Sequence, residues 1–164
     1  MTFKEFLGQV YEKYVVWPKL YIDLSRMISI NLEGKSVLDV GCDLGNISRF
    51  VKRRGAAKVV GFDINKDNII KAKARNKGIS FFVVDATKIC LRSGMFDVVI
   101  CSEVIEHIKN DYAVFHEISR LLKRGGYLFL TTPDLNTHKK MSRIIGKDEF
   151  LKRLCHVRFG YTLE

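Results

Sequence analysis

Phe3, Phe6, Leu7, Val10 and Tyr14 fall at helical spacing, and apolar residues resume after Pro18 at Leu20, Ile22, Leu24, Met27 and Ile28. Two short amphipathic helices are predicted, broken at Trp17-Pro18 because proline cannot donate to the helical ladder. Gly34 closes this stretch. Beyond it, short apolar runs alternate with amphipathic ones. Ser36–Val40, Lys58–Phe62, Ile79–Val84, Met95–Ile100 and Tyr127–Thr131 read as strands. Between them come helices carrying Ile47, Phe50 and Val51, ending at Gly55, and Ile69, Ile70, Ala72 and Ala74, ending at Gly78. A third helix is capped by Asn110 or Asp111, carries the stripe Val114, Phe115, Ile118, Leu121 and Leu122, and is expected to end at Gly125-Gly126.

Strands rich in Val, Ile and Phe that alternate with helices imply βαβ units and a sheet buried on both faces. The fold expected is α/β, a Rossmann-like, doubly wound and mostly parallel sheet, with its ligand at the carboxyl ends of the strands. Residues 1–34 are read as an N-terminal helical cap and 35–164 as the α/β domain. No internal repeat is visible.

Composition narrows the class without changing this picture. Of 164 residues, 47% are hydrophobic and 28% charged, which excludes a disordered or fibrous chain. No apolar run approaches the ~18 residues of a membrane span, and charge interrupts the N-terminus too early for a secretion signal. Cys42, Cys90, Cys101 and Cys155 form no Cys-x-x-Cys pair, so reduced thiols and a cytoplasmic location are expected.

The candidate chemistry begins where the first strand meets Gly41-Cys42-Asp43-Leu44-Gly45. Glycines at 41 and 45 permit a tight turn and close approach of a ligand to the backbone. The second strand ends at Asp63, where a carboxylate can accept both hydroxyls of a ribose. Asp39 and Asp43 bracket the turn and would repel a pyrophosphate, each by about 3 kcal/mol at ~5 Å and an effective dielectric near 20. This disfavours a dinucleotide-dependent dehydrogenase and suits a ligand with a ribose and a cationic end.

Val37-Leu38-Asp39-Val40-Gly41-Cys42-Asp43-Leu44-Gly45 resembles motif I of the class I S-adenosylmethionine-dependent methyltransferases. Val60–Ile64, Val84-Asp85-Ala86, Phe96–Ile108 and Gly125–Pro133 resemble the family's later motifs, in order. The resemblance implies S-adenosylmethionine as cofactor, held by Asp39, Gly41, Cys42, Gly45, Asp63, Ile64, Asp85, Ala86 and Cys101. Asp39 would orient the methionine ammonium, Asp63 the ribose, and Asp85 with Ala86 the adenine. Asp43 stands where the family usually has a second glycine. Members also normally continue to a sixth and a seventh strand, which are expected to be missing here; that would leave an open edge at strand five through which a homodimer could form.

Glu103, Glu106 and His107 stand at i, i+3 and i+4, so on a helix they share one face, with Ser102 as its cap. With His156 they resemble the metal site of small-RNA 2′-O-methyltransferases and of polyprenyl-quinol O-methyltransferases. A Mg²⁺, Mn²⁺ or Zn²⁺ ion there would lower the pKa of an acceptor hydroxyl. Two alternatives stand beside it: first-turn acids favoured only by the helix dipole, and His107 as a metal-free general base. His116 and His138 are read as structural or exposed.

The chain carries 28 Lys+Arg against 18 Asp+Glu, net +10. Arg49, Lys52, Arg53 and Arg54, then Lys71, Lys73, Arg75 and Lys77, lie on the predicted outer faces of two helices, and residues 136–164 are also basic. Three readings follow: a methyltransferase acting, at oxygen, on a small-molecule or lipid-like acceptor beneath the cap; an RNA methyltransferase with the basic helices as its track; and a truncated, non-catalytic protein of the same fold. The first is favoured, with a nucleic-acid partner kept as the alternative.

Overall fold

A computed structural model describes residues 31–132. The expected N-terminal helices, the aromatic residues around Trp17, and His138, Cys155 and His156 lie outside them. The elements run β1 (Ser36–Val40), α1 (Asn46–Arg53), β2 (Lys58–Asp63), α2 (Lys66–Arg75), β3 (Ser80–Val83), β4 (Phe96–Ser102), α3 (Asp111–Leu121) and β5 (Leu122–Thr131). A 3₁₀ turn at Ile105–His107 follows β4.

The five strands form one parallel sheet in the order β3-β2-β1-β4-β5. The order reverses between β1 and β4, opening a crevice at their carboxyl ends. Register aligns that edge: Val40 pairs with Phe62 on one side and with Cys101 on the other. Alternation along the strands splits the core in two. Leu38, Val40, Val60, Phe62, Val99 and Cys101 pack under Val114, Phe115, Ile118 and Leu121 of α3. On the opposite face Val37, Val59, Val98 and Ile100 meet Val51 of α1, and Phe81 and Cys42 meet Ile69 and Ala72 of α2.

Caps explain two helix starts. The Asn65 side chain accepts from the amides of Asp67 and Asn68 at 2.9 and 3.3 Å, opening α2, and Asn110 accepts from Ala113 at 3.2 Å, opening α3. Two helix ends differ from the sequence reading. The second helix stops at Arg75 rather than Gly78, because buried Asn76 turns its amide nitrogen onto the Ala72 and Leu44 carbonyls at 2.8 and 3.0 Å. The third stops at Leu121 rather than Gly125-Gly126. The amides of Gly94 and Met95 take the carbonyls of Arg120 and Leu121, both at 2.9 Å, and Leu122 already pairs with Phe96. Residues 123–126, with Gly125 at φ +75°, are absorbed as a bulge between the pairs Phe96–Leu122 and Val98–Tyr127.

Asp97 fastens the amino-terminal side of the sheet. Its carboxylate accepts from the Ser36 amide, the Ser36 hydroxyl and Lys123 at 2.8, 2.6 and 2.9 Å. These three partners hold its pKa far below the usual carboxylate range. The segment joining β3 to β4 has no helix; Arg120, itself paired with Glu117, donates to the carbonyls of Ile89 and Leu91, and Glu117 accepts from the Ile89 amide. Among the described residues no helix is long and apolar enough to cross a membrane.

Candidate functional site

Gly41 and Gly45 turn the chain from β1 into α1 at φ +70° and +77°, values an L side chain rarely adopts. Neither position has room for one. A Cβ on Gly41 would sit 2.2 Å from Cγ2 of Val104, and one on Gly45 would lie 2.7 Å from both Asn76 and Phe81. Gly41 therefore makes space for Val104, from the segment after β4, so the strand-four loop is packed directly onto the glycine turn. Nothing in the linear spacing marks this pair.

Asp43, where a glycine is usual, takes φ +48°. Asp is among the few non-glycine residues that tolerate this region, since a short polar side chain can bond locally. Its carboxylate accepts from the Asn68 amide nitrogen at 2.8 Å. Its backbone amide donates to Asp63 at 2.9 Å. The departure from the family pattern thus keeps the backbone conformation that the pattern requires.

Asp63 stands at the end of β2, its two oxygens accepting from the amides of Asp43 and Asn65 at 2.9 and 2.8 Å. Each oxygen keeps a lone pair beyond these bonds, so together they form the pair of acceptors that a ribose diol, donating two hydroxyls, needs. Beside it Ile64 is an apolar side chain left 73% exposed at the end of β2. Asp85 follows β3, accepting from the amide and hydroxyl of Thr87 at 2.8 and 2.7 Å, which hold its pKa below the usual carboxylate range. Ala86 packs at the edge of the core below.

Asp39 behaves differently from expectation. It is 1% exposed and accepts from the Ser48 hydroxyl at 2.6 Å, tying β1 to α1. Burial pushes its pKa up to about 7 against the lowering effect of Ser48. Its carboxyl is therefore engaged beneath the turn, and Asp43 and Asp63 carry the negative charge at the rim. Burial also pushes the Cys42 and Cys101 thiols well up, with Asp39 adding to both and Glu106 to Cys101. Both stay protonated, so what these cysteines can offer a ligand is backbone.

The segment after β4 overturns the expected helix. Glu103 sits at φ +55°, its amide bonded to the Thr131 carbonyl at 3.0 Å. Only Ile105–His107 turns, as a single 3₁₀ turn without a side-chain cap. Ser102 is the last residue of β4, its hydroxyl 2.8 Å from that of Thr131. Glu103, Glu106 and His107 consequently share no helical face. Glu106 is fully buried, with Oε1 lacking a hydrogen bond among the described residues and Thr132 donating to Oε2 at 3.5 Å. Burial raises its pKa to about 8, with the charge and hydrogen bonding of Glu103 adding to the rise. Glu103 Oε1 is likewise buried with no hydrogen-bond partner among the described residues. The His107 ring points outward, 39% exposed, with Nε2 4.0 Å from Glu106 Oε1. Among the described residues no group of three His, Cys, Asp or Glu is placed to hold a metal ion.

A family model described as a methyltransferase domain matches residues 38–130. The chain is 33% identical to the ubiquinone biosynthesis O-methyltransferase of Pectobacterium atrosepticum over 126 residues, covering 74% of this chain and 52% of that protein. It is 31% identical to the mitochondrial protein of the same name from Dictyostelium discoideum over 144 residues, covering 79% and 44%. The chain thus spans about half the length of these curated relatives. In fold it is similar to an S-adenosylmethionine-dependent methyltransferase from Mesorhizobium loti, with a TM-score of 0.63 at 24% identity over 67% of this chain and 52% of that one.

Proposed function

The chain belongs to the methyltransferase-domain family, and on that premise we propose that it transfers a methyl group from S-adenosylmethionine to an oxygen of a small-molecule or lipid-like acceptor. The observation that carries this reading is the carboxylate of Asp63, held by two backbone amides at the crevice edge beside a turn that only glycines can make. The names of the similar ubiquinone biosynthesis O-methyltransferases support oxygen as the acceptor atom.

Each residue then has a physical task. Asp63 accepts from the ribose hydroxyls, and Ile64 covers one face of the adenine while losing its contact with water. Asp85, with one oxygen already committed to Thr87, offers the other to the exocyclic amine. The turn from Gly41 to Gly45 receives the carboxypropyl end. Asp39 keeps that turn in place through Ser48. When bound, S-adenosylmethionine supplies an electrophilic methyl on a positively charged sulfur, so alignment is the main demand on the protein. His107 at the rim receives the proton of the acceptor hydroxyl as the oxygen–carbon bond forms and the carbon–sulfur bond breaks, the bonding pair returning to sulfur.

No step is derived through a metal ion, because the described residues do not converge on one. Glu103 and Glu106 supply two carboxylates and His107 Nε2 lies 4.0 Å from Glu106 Oε1, but the three do not form a common ligand group among the described residues, and His156 lies outside them.

The test is isothermal titration of S-adenosylmethionine into the protein and into Asp63→Ala, followed by turnover on phenolic acceptors. Micromolar binding lost in the variant, with methylated product from the parent, supports the reading. No binding by the parent chain defeats it.

A further inference from the structure

Residues 46–77, spanning α1, β2 and α2, contain ten Lys or Arg and two carboxylates, net +8 in a chain of +10. The two helices cover the same sheet face, because Val51, Ile69 and Ala72 all turn inward against it. Their basic residues must then point outward, and Arg53, Lys66, Lys71, Lys73, Arg75 and Lys77 are exposed and in no ion pair among the described residues. Lys52 is different: it spends its ammonium on the carbonyls of Ala56 and Ala57 at 3.1 and 2.9 Å. An excess of positive charge this large over one face costs self-repulsion that a polyanion would relieve.

Two features select the kind of polyanion. Ile70 is 56% exposed on α2, flanked at i−4 and i+3 by Lys66 and Lys73. An exposed isoleucine between two lysines, with Asp67 at i−3 as the one acid of the helix, suits an interface where the apolar tip enters the headgroup region and the ammonium groups meet phosphates. Conversely, the two helices present no exposed aromatic ring. The exposed aromatics Phe82, Tyr112 and Tyr127 lie on β3, α3 and β5. Phe82 packs edge-on to Phe62 on the other sheet face. Single-stranded nucleic acid is bound by stacking bases on such rings, and among the described residues this face has only the partly buried Phe50, covered by Arg54.

We propose that the outer face of α1 and α2 docks the protein on an anionic lipid bilayer. Both helices start at the ligand-binding edge, α1 directly after Gly45 and α2 three residues beyond Asp63. Docking therefore brings the rim of the crevice beside the lipid surface. The inference goes beyond the methyl-transfer reading and does not depend on it, since binding is read without cofactor or turnover.

The experiment is co-sedimentation of the full chain with vesicles of phosphatidylcholine, with or without phosphatidylglycerol, at low and high salt. Capture by the phosphatidylglycerol vesicles alone, lost at high salt, is expected. Lys66→Gln/Lys73→Gln should lower the partition coefficient about thirtyfold, at ~1 kcal/mol per basic residue. Arg92→Gln/Arg124→Gln removes the same charge elsewhere and should leave most of the binding in place. Circular dichroism checks that both double variants fold. Equal loss in the two double variants, or no capture by phosphatidylglycerol vesicles, overturns the proposal. So does a salt-sensitive gel shift with single-stranded RNA in the absence of vesicle binding, which would assign the face to nucleic acid.

Discussion

The backbone amide of Asp43 donates to Oδ2 of Asp63 at 2.9 Å, joining the turn after β1 to the end of β2. Because Asp43 holds φ +48°, the amide of the glycine-like position faces the neighbouring strand. The carboxylate expected to bind ribose is thus positioned by backbone, from both sides, before any ligand arrives. A group so held loses little entropy on binding.

Asp63→Asn should weaken S-adenosylmethionine binding about ten- to a hundredfold, the loss expected when a charged acceptor of hydrogen bonds is removed. Titration calorimetry reads this directly. Unchanged affinity would remove Asp63 from the site.

Ile64 is 73% exposed, so truncating it removes almost no packing in the free protein. Ile64→Ala should leave the melting temperature within about a degree, its surface position predicting under ~0.5 kcal/mol. It should still weaken cofactor binding roughly tenfold, through apolar area no longer buried against the adenine. Thermal denaturation and calorimetry together separate the two effects.

Gly41→Ala forces a Cβ to 2.2 Å from Val104 and keeps it at φ +70°. A destabilisation of about 2–4 kcal/mol is expected, from overpacking and left-handed backbone together. Adding Val104→Ala should recover the overpacking part only. Urea denaturation of the single and double variants tests this, and additive losses would show that the two residues are not coupled.

Asp39 and Glu106 are both raised by burial, to about 7 and about 8, from ordinary values of 3.8 and 4.5. Between the ordinary and the raised value the folded protein binds the proton that the unfolded chain has released. Stability should therefore fall as pH rises from about 4 to about 8, by up to ~1.4 kcal/mol per pH unit for each group. Below that window the depressed carboxyls of Asp97 and Glu117 act in the opposite sense, losing their stabilisation as pH falls. Melting temperature against pH should flatten above pH 5 in Asp39→Asn and in Glu106→Gln. A parallel curve in either variant would assign the dependence elsewhere.

Arg120→Ala leaves Glu117 and the carbonyls of Ile89 and Leu91 without their cation. A loss of about 2–3 kcal/mol is expected, with faster amide exchange across residues 84–95. Arg120→Lys should recover little of it, since an ammonium cannot span the forked contacts.

Much of the fold was legible because its cause is local. Alternating runs such as Val37–Val40 and Val98–Ile100 bury both faces of a strand, and a parallel sheet is the arrangement that permits it. The order of the glycine turn, Asp63 and Asp85 along the chain was equally readable, since each sits where a strand ends. What failed were readings that depended on partners distant in sequence. The third helix ends at Leu121 because Gly94 and Met95 take its last carbonyls. Glu103, Glu106 and His107 have helical spacing, yet the Thr131 carbonyl captures the Glu103 amide and the chain bends instead.

Sequence alone therefore determined the fold class and the family, because strand periodicity and glycine turns are written over a few consecutive residues. Tertiary structure alone decided that Asp39 is spent on Ser48, that Gly41 yields its space to Val104, and that α1 and α2 bring their positive charge onto one face. Those outcomes depend on which surfaces meet across the sheet, and linear spacing carries no record of that.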